Sequence, residues 1–142
     1  MAPTMQQAQT TFTIPTRGLG LHEFTAHVAR WVAASGIETG LLTLFCRHTS
    51  ASLLVNENAA PAVQRDLLRW LDRAAPESAG YEHDDEGPDD MPAHIRTMLT
   101  GVSLAVPVAD GRLALGTWQG LYLAEHRRAP HRRQVVAHLL GE

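Results

Sequence analysis

The chain contains no lysine, and all twelve of its basic residues are arginine. Without a lysine amine, the chain excludes Schiff-base chemistry, a pyridoxal phosphate anchor and a Walker-type phosphate loop. Cys46 is the only cysteine. It excludes an intrachain disulfide and every zinc motif that needs several cysteines. Because Cys46 lies in the apolar run LLTLFC, we expect a buried thiol there.

Long apolar runs and an excess of positive charge are also missing. No run approaches the roughly 20 apolar residues that a membrane-spanning helix needs. The first residues, MAPTMQQAQTTF, lack the basic start and apolar core of a secretory signal, so we expect a cytoplasmic protein with no membrane partner. A formal net charge of -3 argues against a nucleic-acid partner. The one basic cluster, HRRAPHRR, is typical of a solvated turn but could contact phosphate.

The order of periodic patterns predicts a single α+β domain over residues 1–142. Amphipathic helix patterns run from Leu21 to Gly36, from Pro61 to Pro76, and over a short stretch from about Met91 to Leu99. Strand patterns occur in TTFTIPT, GLLTLFCRH, ASLLVNE, SLAVPV, RLALGTW, LYLAE and RQVVAHLL. This β-α-β-β-α-α order followed by four strands predicts a sheet with helices grouped on one face.

Polar residues interrupt two apolar runs in the stretch CRHTSAS. His48, Thr49 and Ser50 form a junction between two predicted strands. Hydroxyls and backbone amides at such a junction can bind a carboxylate or a phosphate. An ordinary hydrogen-bonded turn uses the same residue types, so both interpretations stay open.

The stretch VNENAAP leads from a predicted strand into a predicted helix. Glu57 lies beside the positive end of that helix, and Asn58 could cap it. Pro61 at the first helical position would instead leave Ala60 as the cap residue, and alanine caps poorly. Plain helix capping is therefore a strong alternative to a functional role here.

The stretch YEHDDEGPDDMPAHI places five acidic residues between His83 and His94. These histidines are eleven residues apart, so they can meet only if the loop folds back, for which Gly87 and Pro88 offer a turn. His94 falls in the first turn of the predicted helix, where the dipole favours the neutral ring that a metal requires. A solvated acidic loop is the alternative.

The stretch GTWQGLYLAEHR interrupts an apolar strand pattern with Gln119 and Glu125. Glycines on both sides of TWQ favour a tight turn or bulge at a sheet edge. Trp118 beside an amide and a carboxylate would suit a flat heteroaromatic ligand. A core tryptophan with a hydrogen-bonded glutamine explains the pattern equally well.

Taken together, HTSASLLVNENA, EHDD, EGPDDMPAHI and DGRLALGTWQGLYLAEHR resemble the YjbQ family of small proteins. These motifs cover nearly the whole chain, in order. The resemblance implies a mixed, mostly antiparallel sheet curved into a half-barrel, and assembly as a homotrimer. One departure is Ala60, where members of the family usually carry an aspartate.

The resemblance also implies a histidine-rich site. Its metal ligands would be His48, His83 and His94, holding a divalent ion such as zinc or magnesium. Other residues would bind or act on a substrate, with Glu57 and Glu125 as catalytic groups and Thr49, Ser50, Asn58 and Gln119 as substrate-binding groups.

The function that the resemblance implies is a weak, secondary thiamine-phosphate synthase activity. That reaction joins an aminopyrimidine methyl diphosphate to a thiazole phosphate and releases diphosphate, so the partner would be a small phosphorylated metabolite. Two alternatives stay open. One is a metal-dependent hydrolase of a phosphorylated metabolite, and the other is a non-catalytic trimer that binds a metal or metabolite.

Overall fold

The structure, a computed structural model, describes Ala2 and residues 4–142. These residues form eight strands and three α-helices. In chain order, the elements are β1 (Gln6–Thr16), β2 (Gly20–Glu23), α1 (Thr25–Ser35), β3 (Gly40–Cys46), β4 (Ala51–Glu57), α2 (Pro61–Ala74), α3 (Asp90–Thr100), β5 (Ser103–Ala109), β6 (Arg112–Leu113), β7 (Gln119–Glu125) and β8 (His131–Gly141).

The strands form two antiparallel sheets that together curl into a half-barrel. One sheet has the order β1-β8-β3-β5-β6, and the other has the order β2-β7-β4. The longest pairing joins β1 to β8 along eleven residues of each strand. The predicted α+β fold with a mostly antiparallel sheet is therefore confirmed.

The hydrophobic core lies where inward-facing residues of the two sheets meet helix α1. Along β3, buried and exposed residues alternate as expected for a strand with one covered face, so that Leu42 and Leu44 are fully buried. In β7, residues 120–125 are all buried, because this central strand of the smaller sheet is covered on both faces. Val28 and Val32 bring one face of α1 into the same cluster.

Two elements differ from the sequence-based expectation. The helix expected from Leu21 begins at Thr25, because Gly20–Glu23 pairs with the end of β7 as a strand. The strand expected in RLALGTW ends at Leu113, after which Ala114 turns away while its N–H still donates to the Pro107 carbonyl. In the first case, a pairing partner about a hundred residues away decides the outcome.

Helix α3 packs against β4, and this contact places the candidate site. The N–H of Leu53 in β4 donates to the carbonyl of Gly101 at the end of α3, with an N–O distance of 2.9 Å. In the first half of α3, Nδ1 of His94 lies 2.8 Å from the carbonyl oxygen of Thr49, so this part of the helix lies beside the junction between β3 and β4. Among the described residues, no helix is both long enough and apolar enough to cross a bilayer.

Candidate functional site

Two histidines and an aspartate converge at the start of α3. The Nε2 atom of His83 lies 2.9 Å from Oδ2 of Asp90, and the Nε2 atom of His94 lies 3.0 Å from the same oxygen. Asp90 and His94 share a helix face because they are four residues apart. The loop before α3 folds back through Gly87, whose φ of 99° is in the left-handed region, and brings His83 to them.

Arg127 holds the Asp90 carboxylate in place. Its Nη1 donates to Oδ1 of Asp90 at 2.8 Å, and its Nε donates to Oδ2 of Asp89 at 3.1 Å. Partial burial would raise the pKa of Asp89, but hydrogen bonds from the backbone N–H of Arg128 and from the Arg127 side chain hold that pKa below its ordinary value. One oxygen of Asp90 is thus fixed by Arg127, and the other faces the two histidines.

The hydrogen bond on the far side of the His94 ring decides which nitrogen is free. Nδ1 of His94 lies 2.8 Å from the carbonyl oxygen of Thr49, which can only accept, so Nδ1 carries the hydrogen. In the neutral ring, the lone pair of Nε2 then points at the carboxylate of Asp90. The lone pair of His94 Nε2 and a lone pair of Asp90 Oδ2 therefore face each other. This arrangement requires a cation between the two atoms, either a proton or a metal ion.

The cluster of His83, Asp90 and His94 fits a divalent metal ion. The three candidate ligand atoms all lie within 4.8 Å of one another, and tetrahedral ligands at zinc lie about 3.3 Å apart. Two imidazole nitrogens suit zinc better than magnesium, which prefers oxygen ligands. Three protein ligands, with the side chain of His83 48% exposed, leave a position open toward solvent, as catalytic metal sites do. The Thr49 carbonyl supplies the outer hydrogen bond that metal-binding histidines usually make.

His48 lies in the same surface recess as His94 but outside the converging set. Its Nε2 accepts a hydrogen bond of 2.8 Å from the backbone N–H of Gln134. Burial, together with the nearby charge of Arg133, lowers the pKa of His48 below its ordinary value of 6.5. The structure thus brings together two of the three predicted histidine ligands with Asp90, and a role for His48 as a ligand stays a prediction.

Glu125 lies in a buried network behind Thr49 and Ser50. Its carboxylate accepts hydrogen bonds from Thr16 Oγ1 at 2.7 Å and from Arg133 Nε at 2.8 Å, and Arg133 Nη2 also donates to Ser50 Oγ at 2.9 Å. Burial alone would raise the pKa of Glu125, but the hydrogen bonds from Arg133 and Thr16 hold that pKa below its ordinary value. Because these hydrogen bonds stabilise the charged form of Glu125, its carboxylate is better suited to positioning Ser50 than to transferring a proton.

The remaining predicted residues lie at the opposite end of β4 and β7. The backbone N–H of Ala60 donates to both Oε atoms of Glu57. Ala60 is the cap residue of α2 and makes no side-chain hydrogen bond, so Glu57 supplies a hydrogen-bond acceptor at this helix start. Asn58 donates to Glu23 at 3.3 Å, and Gln119 accepts the Gly116 N–H at 2.8 Å.

A strand of the length of β4 spans about 20 Å. One small ligand therefore cannot touch both groups of predicted residues within one chain.

Sequence reasoning missed Asp90 and Arg127 as parts of the cluster. The predicted helix starts at about Met91, one residue too late, so Asp90 falls in the predicted loop. The spacing of four between Asp90 and His94 was the available signal. No local signal marks Arg127, because its partner in the cluster is 37 residues away.

His126 is a further buried histidine next to this network. The ring is 2% exposed, and its Nε2 lies 2.8 Å from the hydroxyl oxygen of Ser52, which is itself fully buried. Burial first, and then the positive charge of Arg96, lowers the pKa of His126 to about 4. The ring is therefore neutral at pH 7.

Comparisons with known proteins agree on one family. A family model described as "UPF0047 protein YjbQ-like" matches residues 10–142. The chain is 49% identical to the UPF0047 protein sll1880 of Synechocystis over 142 residues, which covers 99% of this chain and 97% of that protein. It is 47% identical to the YjbQ protein of Salmonella typhimurium over 135 residues, which covers 94% and 98% respectively.

Solved structures show the same architecture. The YbjQ-like protein SSO2532 of Sulfolobus solfataricus superposes with a TM-score of 0.91 at 26% identity, which covers 98% of this chain and all of that one. The conserved hypothetical protein TT1486 of Thermus thermophilus superposes with a TM-score of 0.79 at 37% identity, which covers 89% and 97% respectively.

The buried neutral His126 predicts a stability loss in mild acid. Between pH 6.5 and about 4, the unfolded chain binds a proton at this ring that the folded chain does not bind, so stability falls as pH falls. We expect about 3 kcal/mol less unfolding free energy at pH 4 from this group. Urea denaturation across this range should show a shallower pH dependence for His126→Gln, whose amide can still bond Ser52. Identical pH dependence in both proteins would contradict the assignment.

Proposed function

The chain belongs to the family of YjbQ-like UPF0047 proteins, and from that premise we propose that it is a cytoplasmic metal-dependent enzyme acting on phosphorylated metabolites. The reaction we propose is of the thiamine-phosphate synthase type. A carbon–oxygen bond of an aminopyrimidine methyl diphosphate breaks, a carbon–nitrogen bond to a thiazole phosphate forms, and diphosphate leaves. The observation that carries the proposal is the convergence of His83, Asp90 and His94 at an edge open to solvent.

The residues of the cluster would hold the cation, and their neighbours would bind the leaving diphosphate. A bound divalent ion supplies Lewis-acid stabilisation of the charge that develops on the leaving group. Thr49 follows His48 in the same recess, and its carbonyl orients His94. Ser50 Oγ accepts from Arg133, which leaves its own hydrogen free to donate to a phosphate oxygen.

A homotrimer would bring the two separated groups of predicted residues into one site. The outer face of the larger sheet carries an apolar patch in which Leu41 pairs with Leu140, and Phe45 pairs with Val136. Leu41, Phe45 and Leu140 are each between 43% and 49% exposed. A patch of this kind is typical of an interface. We place the subunit contact here, so that Glu57, Asn58 and Gln119 of one copy can approach the cluster of another.

Metal content tests the cluster itself. We expect about one divalent ion per chain in the parent protein after dialysis with zinc, measured by inductively coupled plasma mass spectrometry. Asp90→Ala and His94→Ala should each lose it, because two ligands rarely retain the ion. His27→Ala, at an exposed histidine of α1 outside both the cluster and the proposed subunit contact, is the matched control.

The metal content of His48→Ala distinguishes between two possible sets of metal ligands. Retained metal would identify His83, Asp90 and His94 as the complete set, and lost metal would restore the set of three histidines. Full metal in Asp90→Ala and His94→Ala would contradict both versions.

Substrate pairing tests the reaction. With both substrates present, we expect diphosphate release and formation of the joined product, and no release when the thiazole phosphate is omitted. His94→Ala should lower this rate by more than the 10- to 100-fold that loss of an outer-shell partner costs, and His27→Ala should not. Release without the second substrate would favour the hydrolase. Bound metal without any turnover would favour the non-catalytic alternative.

Native mass tests the assembly. Light scattering should give three times the chain mass of 15.5 kDa for the parent. Leu41→Asp combined with Phe45→Asp should give a single chain, because each places a charge in the proposed contact. Trp70→Asp, at a tryptophan 53% exposed on α2, is the control and should remain a trimer. A parent of single-chain mass, or an unaffected double variant, would contradict the proposed contact.

A further inference from the structure

Arg96 is a buried charged residue whose hydrogen bonds are incomplete. The residue is 6% exposed, and its Nη2 donates to the carbonyl of Ala75 at 3.0 Å. Among the described residues, the only carboxylate within 4 Å of its guanidinium is that of Asp72, at 3.4 Å, and the Asp72 side chain is 79% exposed. The Nε atom of Arg96 is buried and has no hydrogen-bond partner among the described residues. A buried guanidinium with a free donor is unfavourable unless something completes it.

A cavity of about 260 Å³ adjoins this guanidinium, between α2, α3 and the end of β7. Three leucines, Leu19, Leu68 and Leu71, form its apolar part, and Arg96 lies among its polar residues. Its lining contains none of the atoms of the cluster described above, so it is a separate cavity on the other side of α3.

The other ionisable groups in the cavity leave the charge of Arg96 available. Glu125 lines the cavity, but its carboxylate is already bound by Arg133 and Thr16. His126, also in the lining, has its pKa lowered to about 4 by burial and by Arg96 itself, so it adds no charge at pH 7. At the rim, Arg69 and Asp72 are exposed and of opposite sign.

We propose that this cavity binds a small oxyanion, a carboxylate or a phosphate, through the guanidinium of Arg96, which lines it. A guanidinium presents adjacent N–H groups in a planar fork that matches the oxygens of either group. The three leucines would pack around a short apolar tail on the same ligand. The site does not depend on the metal cluster, and its ligand need not be a substrate of the proposed reaction.

Anion binding at matched ionic strength tests the site. The parent protein is titrated with sodium phosphate and, separately, with sodium propionate, against a sodium chloride background, by isothermal titration calorimetry and by melting temperature. We expect saturable binding of at least one of the two anions, and a raised melting temperature. Binding of propionate alone assigns a carboxylate ligand, binding of phosphate alone assigns a phosphate ligand, and both results support the site.

Three variants locate the binding. Arg96→Met keeps the buried stem without the guanidinium and should weaken binding about tenfold or more, the loss of one charge-assisted hydrogen bond. Leu68→Trp keeps Arg96 but fills the cavity, and should also abolish binding. Arg73→Met, at an exposed arginine of α2 outside the lining, should bind as the parent does.

Two results would overturn the proposal. One is a parent protein that responds to phosphate and propionate no more than to chloride. The other is unchanged binding in Arg96→Met or, should that variant fail to fold, in Leu68→Trp. Metal content is measured on the same samples, so that a failure of anion binding at Arg96 can be distinguished from a failure of metal binding at the cluster.

Discussion

The buried ion pair between Glu125 and Arg133 links the two sheets at the end of the molecule where the candidate site lies. Glu125 ends β7 in the smaller sheet, Arg133 lies in β8 of the larger sheet, and their side chains are 0% and 6% exposed. Thr16 from β1 and Ser50 from the junction before β4 complete the network. Desolvating two charges is costly, and only this saturated set of hydrogen bonds offsets it. Loss of either charged partner would leave a buried charge unpaired, at a cost of about 3–5 kcal/mol.

The candidate metal cluster is positioned through this pair. The backbone N–H of Arg127 donates to Glu125 Oε2 at 3.2 Å, and the side chain of Arg127 reaches across to Asp90 at 2.8 Å. On the opposite side, Ser50 is fixed by Arg133, and its neighbour Thr49 holds the His94 ring. Both chains of hydrogen bonds that position the cluster therefore include the buried carboxylate of Glu125. A change at Glu125 would disturb the cluster without any direct contact with it, and activity alone could not separate such a positioning role from a catalytic one.

The parts of the molecule that the sequence predicted are those decided by neighbouring residues. Pro61 at the first helical position and the alternating pattern of TTFTIPT in β1 were enough to place those elements. The strand Gly20–Glu23 could not be predicted because it pairs with β7, about a hundred residues away, while its own residues also fit a helix. The site followed the same rule. His83 and His94 could be identified from motif words, but Asp90 required the helix to begin one residue earlier, which local patterns do not resolve.

The negative charge of the acidic loop before α3 determines what a diphosphate substrate would need in order to bind at the cluster. Five carboxylates lie within seven residues before α3 and in its first turn, at positions 84, 85, 86, 89 and 90. Arg127, which is bound to the cluster, is already shared between Asp89 and Asp90, and Arg128 is paired with Glu77. With no lysine in the chain, no further ammonium group can offset the loop. A diphosphate would therefore meet net negative charge at this edge, and its binding would require a divalent cation held between the histidines and the anion. Phosphate binding and metal binding at this cluster are thus expected to occur together or not at all.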